Sequence, residues 1–441
     1  MVRYNNLRLQ FFKVFLLILL ASVHLLFTSF NTLSKNQIDH QNQIIVDWYD
    51  LYLELESKDP LAYPPISGER LSQLGIAGYL THNIVVEKSQ EDEMLFLNVY
   101  NKLFCHLLKE IFNEKVFNSH RKTEELQNKN TRFLNPTTKD ELKAKQYVEI
   151  VLDSLQSIKK RLPIKVDLYF ENPAFTENNL QYQKPEKILP EWGMKPTWII
   201  SREDFRLDAP YSKNISKSDA IKKDALSVYS VTSQLSKEEK WIAEFWSDDV
   251  RGLTFSPLSR WYAVANQILN SEKMSIKDLI HIYFKLGVGL NDAAIMTWHF
   301  KYHYNILRPS DYITKNLDQN WKPFHSDPNF PSYPSGHAVF GAVASSILET
   351  YVGENYYFTD NSHENRKEFL SKKRSFPSLD AMAKESAWSR ILLGVHFYED
   401  CDAGLKYGQK IGKYVSKNAE TVFLAKFFDL NSDLSKIKEL N

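Results

Sequence analysis

The longest stretch of helical periodicity in this chain runs from Ser275 to Leu307, and it strongly limits the fold that the chain can adopt. Apolar residues recur there at the spacing that places them on one face of a helix. Only 14 glycines and a 13% share of aromatic residues favour long helices with bulky packing over a turn-rich sheet protein. We therefore expect an all-α fold, a helical bundle.

Other segments share this periodicity. Helices are expected at residues 36–55, 90–114, 138–162, 236–248, 335–352, 377–393 and 403–419. The helix at 236 begins with Ser-Lys-Glu-Glu, which is a capping-box pattern. Residues 162–230 contain six prolines and many polar side chains. That composition predicts an excursion with little regular structure.

The N-terminus has the composition of a targeting segment. Arg3, Arg8 and Lys13 precede an apolar run over residues 14–30. A basic flank before such a run predicts an export signal or a single membrane anchor helix, with the remaining chain on the outer side of the membrane. The run is at the short limit for spanning a bilayer, so cleaved signal and retained anchor stay open, as does a buried helix. The expected location is periplasmic or extracellular.

Three regions follow from these patterns. Residues 1–34 form the signal or anchor, residues 35–235 an N-terminal helical region with the proline-rich excursion, and residues 236–441 a helical bundle that carries the chemistry. The net charge of +1 gives no indication of nucleic-acid binding. Two cysteines, Cys105 and Cys401, provide no metal-binding spacing. Buried thiols are expected, although a disulfide stays open.

Lys301 and Arg308 form the first of three motifs that carry chemistry. They are seven residues apart, which is two turns of a helix, so both are expected on one helical face. Pro309 is expected to end that helix just after Arg308. Such a pair is usually a solvated surface. The surrounding aromatic and aliphatic residues instead indicate a buried anionic partner.

The second motif is Pro334-Ser335-Gly336-His337, at the start of a predicted helix. Ser335 is a good N-cap residue, and helix N-termini bind anions through free amides and the helix dipole. Gly336 lets the backbone approach a ligand closely. His337 in the first turn can move a proton at the edge of the anion. An ordinary cap with a surface histidine is the simpler interpretation.

The third motif adds Arg390, Gly394, His396 and Asp400. Gly394 is expected to end a helix and turn the chain back. Asp400 lies four residues after His396, where its carboxylate can accept the imidazole N–H and fix the tautomer. A core histidine satisfied by a helical neighbour is the alternative. The three motifs together supply three permanent cations and two histidines, which suits the binding of a tetrahedral oxyanion.

In this order the motifs resemble the superfamily that joins type 2 phosphatidic acid phosphatases with vanadium-dependent haloperoxidases, and they match at every defining position. Residues 190–415 look family-like. Trp298 and Phe330 resemble positions that line the halide side of the pocket in the soluble bacterial haloperoxidases. Packing alone is the other interpretation of these two rings.

The resemblance implies a role for each residue. His396 would bind the vanadium of a vanadate cofactor, with Asp400 behind it, and His337 would act as acid and base. The oxyanion would be held by Lys301, Arg308, Ser335, Gly336 and Arg390. Hydrogen peroxide and halide would be the substrates.

The same residues leave other functions open. In an exported acid phosphatase, His396 would attack phosphorus to form a phosphohistidine, and His337 would protonate the leaving oxygen. A catalytically silent helical binding protein would be expected to have an incomplete site. A zinc hydrolase lacks the usual histidine or cysteine pattern. The motifs alone do not choose between vanadate and phosphate.

Overall fold

The computed structural model describes residues 40–163, 180–211, 216–248, 254–364 and 373–427. The predicted signal or anchor at residues 14–30 lies outside them, and the exported location that depends on it stays a prediction. Within the described ranges, no helix combines the length and the apolar character that a membrane crossing needs.

The described residues are mostly helical, which confirms the predicted all-α bundle. In chain order the helices are α1 (40–56), α2 (Pro64–His82), α3 (Glu93–Ile111), α4 (Ser119–Leu134), α5 (Thr138–Arg161), α6 (Lys217–Thr232), α7 (Lys237–Phe245), α8 (Pro257–Ser271), α9 (Ile276–Tyr304), α10 (Pro309–Asn316), α11 (Gly336–Val352), α12 (Leu379–Leu392) and α13 (Tyr398–Phe427). A π-helical turn, Asn83–Lys88, follows α2, and a short 3-10 helix spans Trp192–Met194. Strands β1 (Phe358–Asp360) and β2 (Arg374–Phe376) pair antiparallel, with Phe358 opposite Phe376.

Helix α9 forms the centre of the bundle. It packs against α2, α11 and α13, and most of its side chains are buried. Its start is fixed by a capping box, in which Ser275 accepts from the Asp278 amide and Asp278 accepts from the Ser275 amide. This packing places Lys301, in the last turn of α9, inside the protein. The boundary between regions at residue 235 stays a prediction.

Helices α11 and α13 approach each other closely because glycines line their contact. A Cβ at Gly408 would lie 2.3 Å from the Val339 carbonyl oxygen, and one at Gly404 would lie 2.9 Å from the Ser335 oxygen. The Ser335 amide donates to the Asp400 carbonyl oxygen at 3.0 Å. The close packing therefore holds the N-terminal turns of the two helices side by side.

The predicted position of Arg308 on the same helix as Lys301 is wrong. Helix α9 ends at Tyr304 because Asn305 adopts a left-handed conformation, with φ of 51°. The next residues are extended, and Ile306 pairs with Gln181 in an antiparallel bridge. Arg308 has φ of −84° and ψ of 158° and precedes the first turn of α10. Pro309 therefore begins a helix, where its missing N–H costs nothing, instead of ending one.

The proline-rich excursion is only partly irregular. Residues 180–211 contain one short 3-10 helix and otherwise little regular structure, as expected. The prediction is wrong for Lys217–Thr232, which forms α6. The last proline is at position 210, and the Ser216 side chain caps the helix by accepting from the Asp219 amide.

Two further predictions concern the capping box at Ser236 and the pairing of the two cysteines. Ser236 and Glu239 form the predicted capping box, although α7 ends at Phe245, before residue 248. Cys105 and Cys401 are both buried and free, so they do not pair.

Candidate active site

A cavity of about 240 Å³ lies where the ends of several helices meet. Eight of the ten predicted site residues line it, namely Trp298, Lys301, Arg308, Phe330, Gly336, His337, Arg390 and His396. The other two, Ser335 and Asp400, are buried but are not part of the lining. Residues far apart in the sequence therefore come together at one place.

The three predicted cations are almost completely buried. Lys301 and Arg308 are 0% exposed and Arg390 is 2% exposed. The Lys301 ammonium donates to the carbonyl oxygens of Pro331, at 3.0 Å, and Ser332, at 2.8 Å. Burial of three positive charges is costly unless an anion or other polar partners compensate, so the cavity is electrostatically prepared for a negative ligand.

The two guanidinium groups are positioned by backbone oxygens. Arg308 donates through Nη1 to the Val395 oxygen at 2.7 Å and through Nε to the Phe330 oxygen at 3.1 Å. Arg390, in the last turn of α12, donates through Nη2 to the Trp246 oxygen. These contacts restrict how far either side chain can move, which favours recognition of an anion of defined shape.

His396 is held as one tautomer by partners on both sides. Its Nε2 lies 3.1 Å from Nη1 of Arg308, which can only donate, so Nε2 carries the lone pair. Its Nδ1 lies 2.9 Å from Oδ2 of Asp400 and therefore carries the proton. The predicted pairing of His396 with Asp400 is present. In this tautomer Nε2 has the lone pair that a ligand in the cavity needs, and such a ligand would take the place of the Arg308 contact.

Asp400 is itself held by two donors. The Ser332 hydroxyl donates to its Oδ2 at 2.5 Å, and the Phe397 amide donates to the same oxygen at 2.9 Å. Ser332 also lies 3.3 Å from Nδ1 of His396. These donors and the His396 Nδ1–H therefore meet at one carboxylate oxygen, which fixes the plane of the imidazole behind the cavity.

The first turn of α11 brings His337 to the cavity. Its Nε2 has no hydrogen-bond partner among the described residues, and neither has the Ser335 hydroxyl. Ser335 occupies the N-cap position as predicted, but its side chain accepts no amide of the helix. A Cβ at Gly336 would lie 3.2 Å from the Phe340 ring, so a glycine keeps this edge of the cavity open. Unpartnered polar groups at a helix N-terminus suit an oxyanion.

Trp298 and Phe330 form an aromatic wall beside the cations. Their ring centroids are 5.1 Å apart. The Phe330 centroid lies 5.1 Å from Lys301 Nζ and 5.0 Å from Arg308 Cζ. The Trp298 indole N–H donates to the Ile188 oxygen at 3.2 Å, which fixes the ring. The wall removes water from one side of the cavity, and this strengthens the electrostatic interactions within it.

Burial and the neighbouring cations both lower the pKa values of the histidines in the cavity. Burial, followed by Arg308 and Lys301, lowers the pKa of His396 well below its usual value. Burial and then Arg390 lower the pKa of His337 in the same way. Burial raises the pKa of Asp400, against the opposing effect of its hydrogen bond from Ser332. Both histidines are therefore neutral near pH 7.

Several residues at the site, Ser332, His325 and Phe340 among them, were not predicted from the sequence. Ser332 holds Asp400, while His325 and Phe340 line the cavity. Ser332 lies between Phe330 and Ser335, so its place in the sequence was a usable signal. No pattern in the sequence distinguished His325 from a surface histidine.

The residues present fit a tetrahedral oxyanion. None of the described residues in the cavity lining carries a carboxylate. Three buried cations, an unpartnered His337 Nε2 and the Nε2 lone pair of His396 surround the space. Vanadate and phosphate both meet these requirements, and His396 Nε2 is a suitable ligand for vanadium.

Comparisons with known proteins point to one group of proteins. A family model described as the VCPO second helical-bundle domain matches residues 281–424. The vanadium chloroperoxidase of Curvularia inaequalis is 27% identical over 124 residues, which make up 24% of this chain. The matched segment spans only 20% of that protein's length.

Solved structures share the fold over most of the chain. A bacterial vanadium-dependent iodoperoxidase has a TM-score of 0.65 and 24% identity, covering 85% of this chain and 95% of its own. A bacterial vanadium-dependent chloroperoxidase in its holo form has a TM-score of 0.61 and 14% identity, covering 84% of this chain and 96% of its own. At these identities the likeness is one of fold.

Proposed function

We propose that this chain, which belongs to the superfamily that joins vanadium-dependent haloperoxidases with type 2 phosphatidic acid phosphatases, is a vanadium-dependent haloperoxidase. The observation that carries the proposal is the single cavity in which three buried cations, His337 and His396 lie beside the Trp298–Phe330 wall. The relatives described above are all named for halide oxidation, which supports the same activity.

Different residues would bind the oxygens and the vanadium of vanadate. Lys301, Arg308 and Arg390 would neutralise the oxygens of vanadate, and electrostatic attraction would be the main source of affinity. The Gly336 amide, at the N-terminus of α11, would donate to one oxygen. His396 would hold the vanadium through Nε2, and Asp400 would keep the imidazole in the required tautomer.

Catalysis would combine the cofactor with the remaining groups of the cavity. When bound, vanadate supplies a Lewis acid that activates hydrogen peroxide toward halide. His337 Nε2 would accept and return a proton at the edge of the oxyanion, since the oxyanion's negative charge counteracts the cations that keep this histidine neutral. The aromatic wall would keep bulk water away from the reacting oxygen.

The test is halide oxidation by the purified chain. After loading with vanadate, we expect peroxide-dependent oxidation of iodide or bromide, with vanadium bound at one atom per chain. Substitution His396→Ala should lower vanadate affinity and turnover by at least about 100-fold, because it removes the one protein ligand of the metal. His106→Ala, at an exposed histidine of α3, is the matched control.

Hydrolysis of a generic phosphate ester should be measured on the same preparations. Vigorous ester hydrolysis without oxidation of any halide would contradict the proposal and favour an acid phosphatase. Turnover of halide by His396→Ala at the rate of the unaltered chain would contradict the role of that histidine.

A further inference from the structure

His325 is a third histidine in the cavity lining, in addition to His337 and His396. It lies on the segment between α10 and α11, and its side chain is 31% exposed. His337 and His396 are 7% and 4% exposed. His325 is therefore the most exposed of the six ionisable side chains that line the cavity in the described residues, the others being Lys301, Arg308, His337, Arg390 and His396.

The segment that carries His325 is attached to the cavity wall at Leu393 and to helix α7 at Glu244. The amide of Phe324 donates to the Leu393 oxygen at 2.9 Å, which fixes the segment against the end of α12. His325 Nε2 lies 2.8 Å from Oε1 of Glu244, a residue of α7. Two residues after Glu244 in the chain, the backbone oxygen of Trp246 accepts a hydrogen bond from Nη2 of Arg390. The His325–Glu244 pair is thus held between the cavity and the solvent.

The proposed reaction consumes a proton in every turnover. Hydrogen peroxide, halide and one proton give hypohalous acid and water. The O–O bond breaks, an O–halogen bond forms, and the halide loses two electrons to the peroxide oxygens. The oxygen that does not bind the halogen leaves as water, so it must receive the proton. That proton comes from solution.

The buried part of the cavity is poorly suited to collecting it. His337 and His396 are 7% and 4% exposed, so they have little contact with solvent, and none of the described residues in the cavity lining carries a carboxylate. Asp327 is in the same segment as His325, but its charge is matched by Lys184 at 3.6 Å. Glu244 is the acidic group that contacts His325 directly.

We propose that His325, held by Glu244, relays protons from solvent into the oxyanion cavity. The inference rests on the proposed haloperoxidase function. An imidazole has two nitrogens, so it can receive a proton at one and donate from the other. The contact with Glu244 keeps the ring at the opening of the cavity. His325 acts here on protons alone and does not bind the cofactor.

The test compares His325→Gln and Glu244→Gln with His106→Gln, in which the altered histidine pairs with Glu110 at 3.1 Å on the surface of α3. Iodide oxidation by the vanadate-loaded enzymes is measured in dilute buffer and again with added imidazole. We expect kcat to fall about 10-fold for His325→Gln, below the usual range for direct acid catalysis because water can partly replace a relay. We expect a smaller fall in kcat for Glu244→Gln and no change in kcat for His106→Gln.

Free imidazole should restore most of the turnover of His325→Gln, because it supplies the missing proton carrier. A loss that imidazole does not restore would indicate a structural role and overturn the relay, as would unchanged turnover in dilute buffer. If the unaltered enzyme oxidises no halide, both the proposed function and the relay fail. If it does oxidise halide and His325→Gln matches it, only the relay fails.

A second measurement does not depend on turnover. Inorganic phosphate serves as the probe of the cavity, and the imidazole resonances are followed by NMR. We expect the His325 resonance to shift on saturation with phosphate and the His106 resonance to stay in place. Phosphate affinity should differ less than about 2-fold between His325→Gln and the unaltered chain, since relay residues do not hold the anion. An unresponsive His325 resonance would overturn the proposal.

Discussion

At the scale of single residues, Ser332 completes the network behind the candidate metal ligand. Its side chain is 0% exposed, and its hydroxyl donates to Asp400, which in turn holds His396. Removal of one donor leaves the desolvation of this buried carboxylate less well compensated, although the Phe397 amide and His396 still donate to it. The Ser332 hydroxyl therefore contributes to stability and, through Asp400, to the orientation of the candidate metal ligand His396.

Substitution Ser332→Ala should show both effects. We expect the free energy of unfolding to fall by about 1–3 kcal/mol, because Asp400 loses a charge-assisted hydrogen bond. Vanadate affinity or halide turnover should fall about 10–100-fold, as is usual when a group that orients a metal ligand is removed. Urea unfolding and halide oxidation assays measure the two quantities.

Ser345→Ala is the matched control for this experiment. Ser345 is also buried, but its hydroxyl donates only to the Ala342 carbonyl oxygen within α11. We expect its loss to leave turnover unchanged. Equal turnover in both variants would contradict the role of Ser332.

At the scale of elements, local signals predicted helices well and their ends less well. The capping box predicted at Ser236 is present where α7 begins, and the structure has another at Ser275, where α9 begins. The predicted end of α9 is too late in the chain, because Asn305 in a left-handed conformation stops the helix one turn before Pro309. The bridge between Ile306 and Gln181, which lie far apart in the chain, then fixes the extended segment. No local pattern carries that information.

The contact between α11 and α13 gives a prediction at this scale. In Gly408→Ala the new Cβ would lie 2.3 Å from the backbone oxygen of Val339, so the helices must separate. We expect a loss of about 1–3 kcal/mol in the free energy of unfolding and reduced turnover, because His337 and Asp400 are carried by these two helices. Thermal and urea unfolding measure the first effect.

Gly289→Ala serves as the comparison. The atoms nearest to a Cβ at Gly289 are side-chain carbons, the closest being Ile347 Cδ1 at 3.0 Å, and these can move. We expect a clearly smaller loss than for Gly408→Ala. The reverse order would contradict the packing argument.

At the scale of the whole molecule, folding concentrates positive charge at one place. Lys301, Arg308 and Arg390 come from three different elements and meet around two histidines whose pKa values they lower. The folded chain therefore binds fewer protons at these histidines than the unfolded chain does. Its stability should depend on pH and on bound anions, and both effects arise from the same cavity.

The pH dependence follows with a definite sign. A histidine with a lowered pKa in the folded state makes its full contribution to the free energy of unfolding when the pH is above its pKa in the unfolded state, about 6.5. As the pH falls below that value, the contribution is progressively lost. The variant His337→Gln has no titrating side chain at this position, so it does not show this loss of stability. The free energy of unfolding of His337→Gln, relative to the unaltered chain, should therefore rise on acidification by up to about 1.4 kcal/mol per pH unit.

Urea unfolding of both proteins between about pH 7.5 and pH 5.5 measures this difference. The raised pKa values of Asp400 and Asp292 act in the opposite sense but are common to both proteins, so they largely cancel. Saturating phosphate should reduce the difference, since a bound anion offsets the cations. If the free energies of unfolding of the two proteins differ by the same amount at every pH, the lowered pKa of His337 is contradicted.

The sequence by itself determined the helical class, most helix positions, the three motifs and the spacing that pairs His396 with Asp400. These depend on periodicity and on contacts within a few residues, which a single sequence displays. Only the tertiary structure decided that Arg308 leaves α9, that Ser332 holds Asp400, and that His325 and Phe340 reach the same cavity. Those outcomes depend on contacts between distant segments and on the close packing of α11 on α13, and their energies cannot be evaluated before the chain is folded.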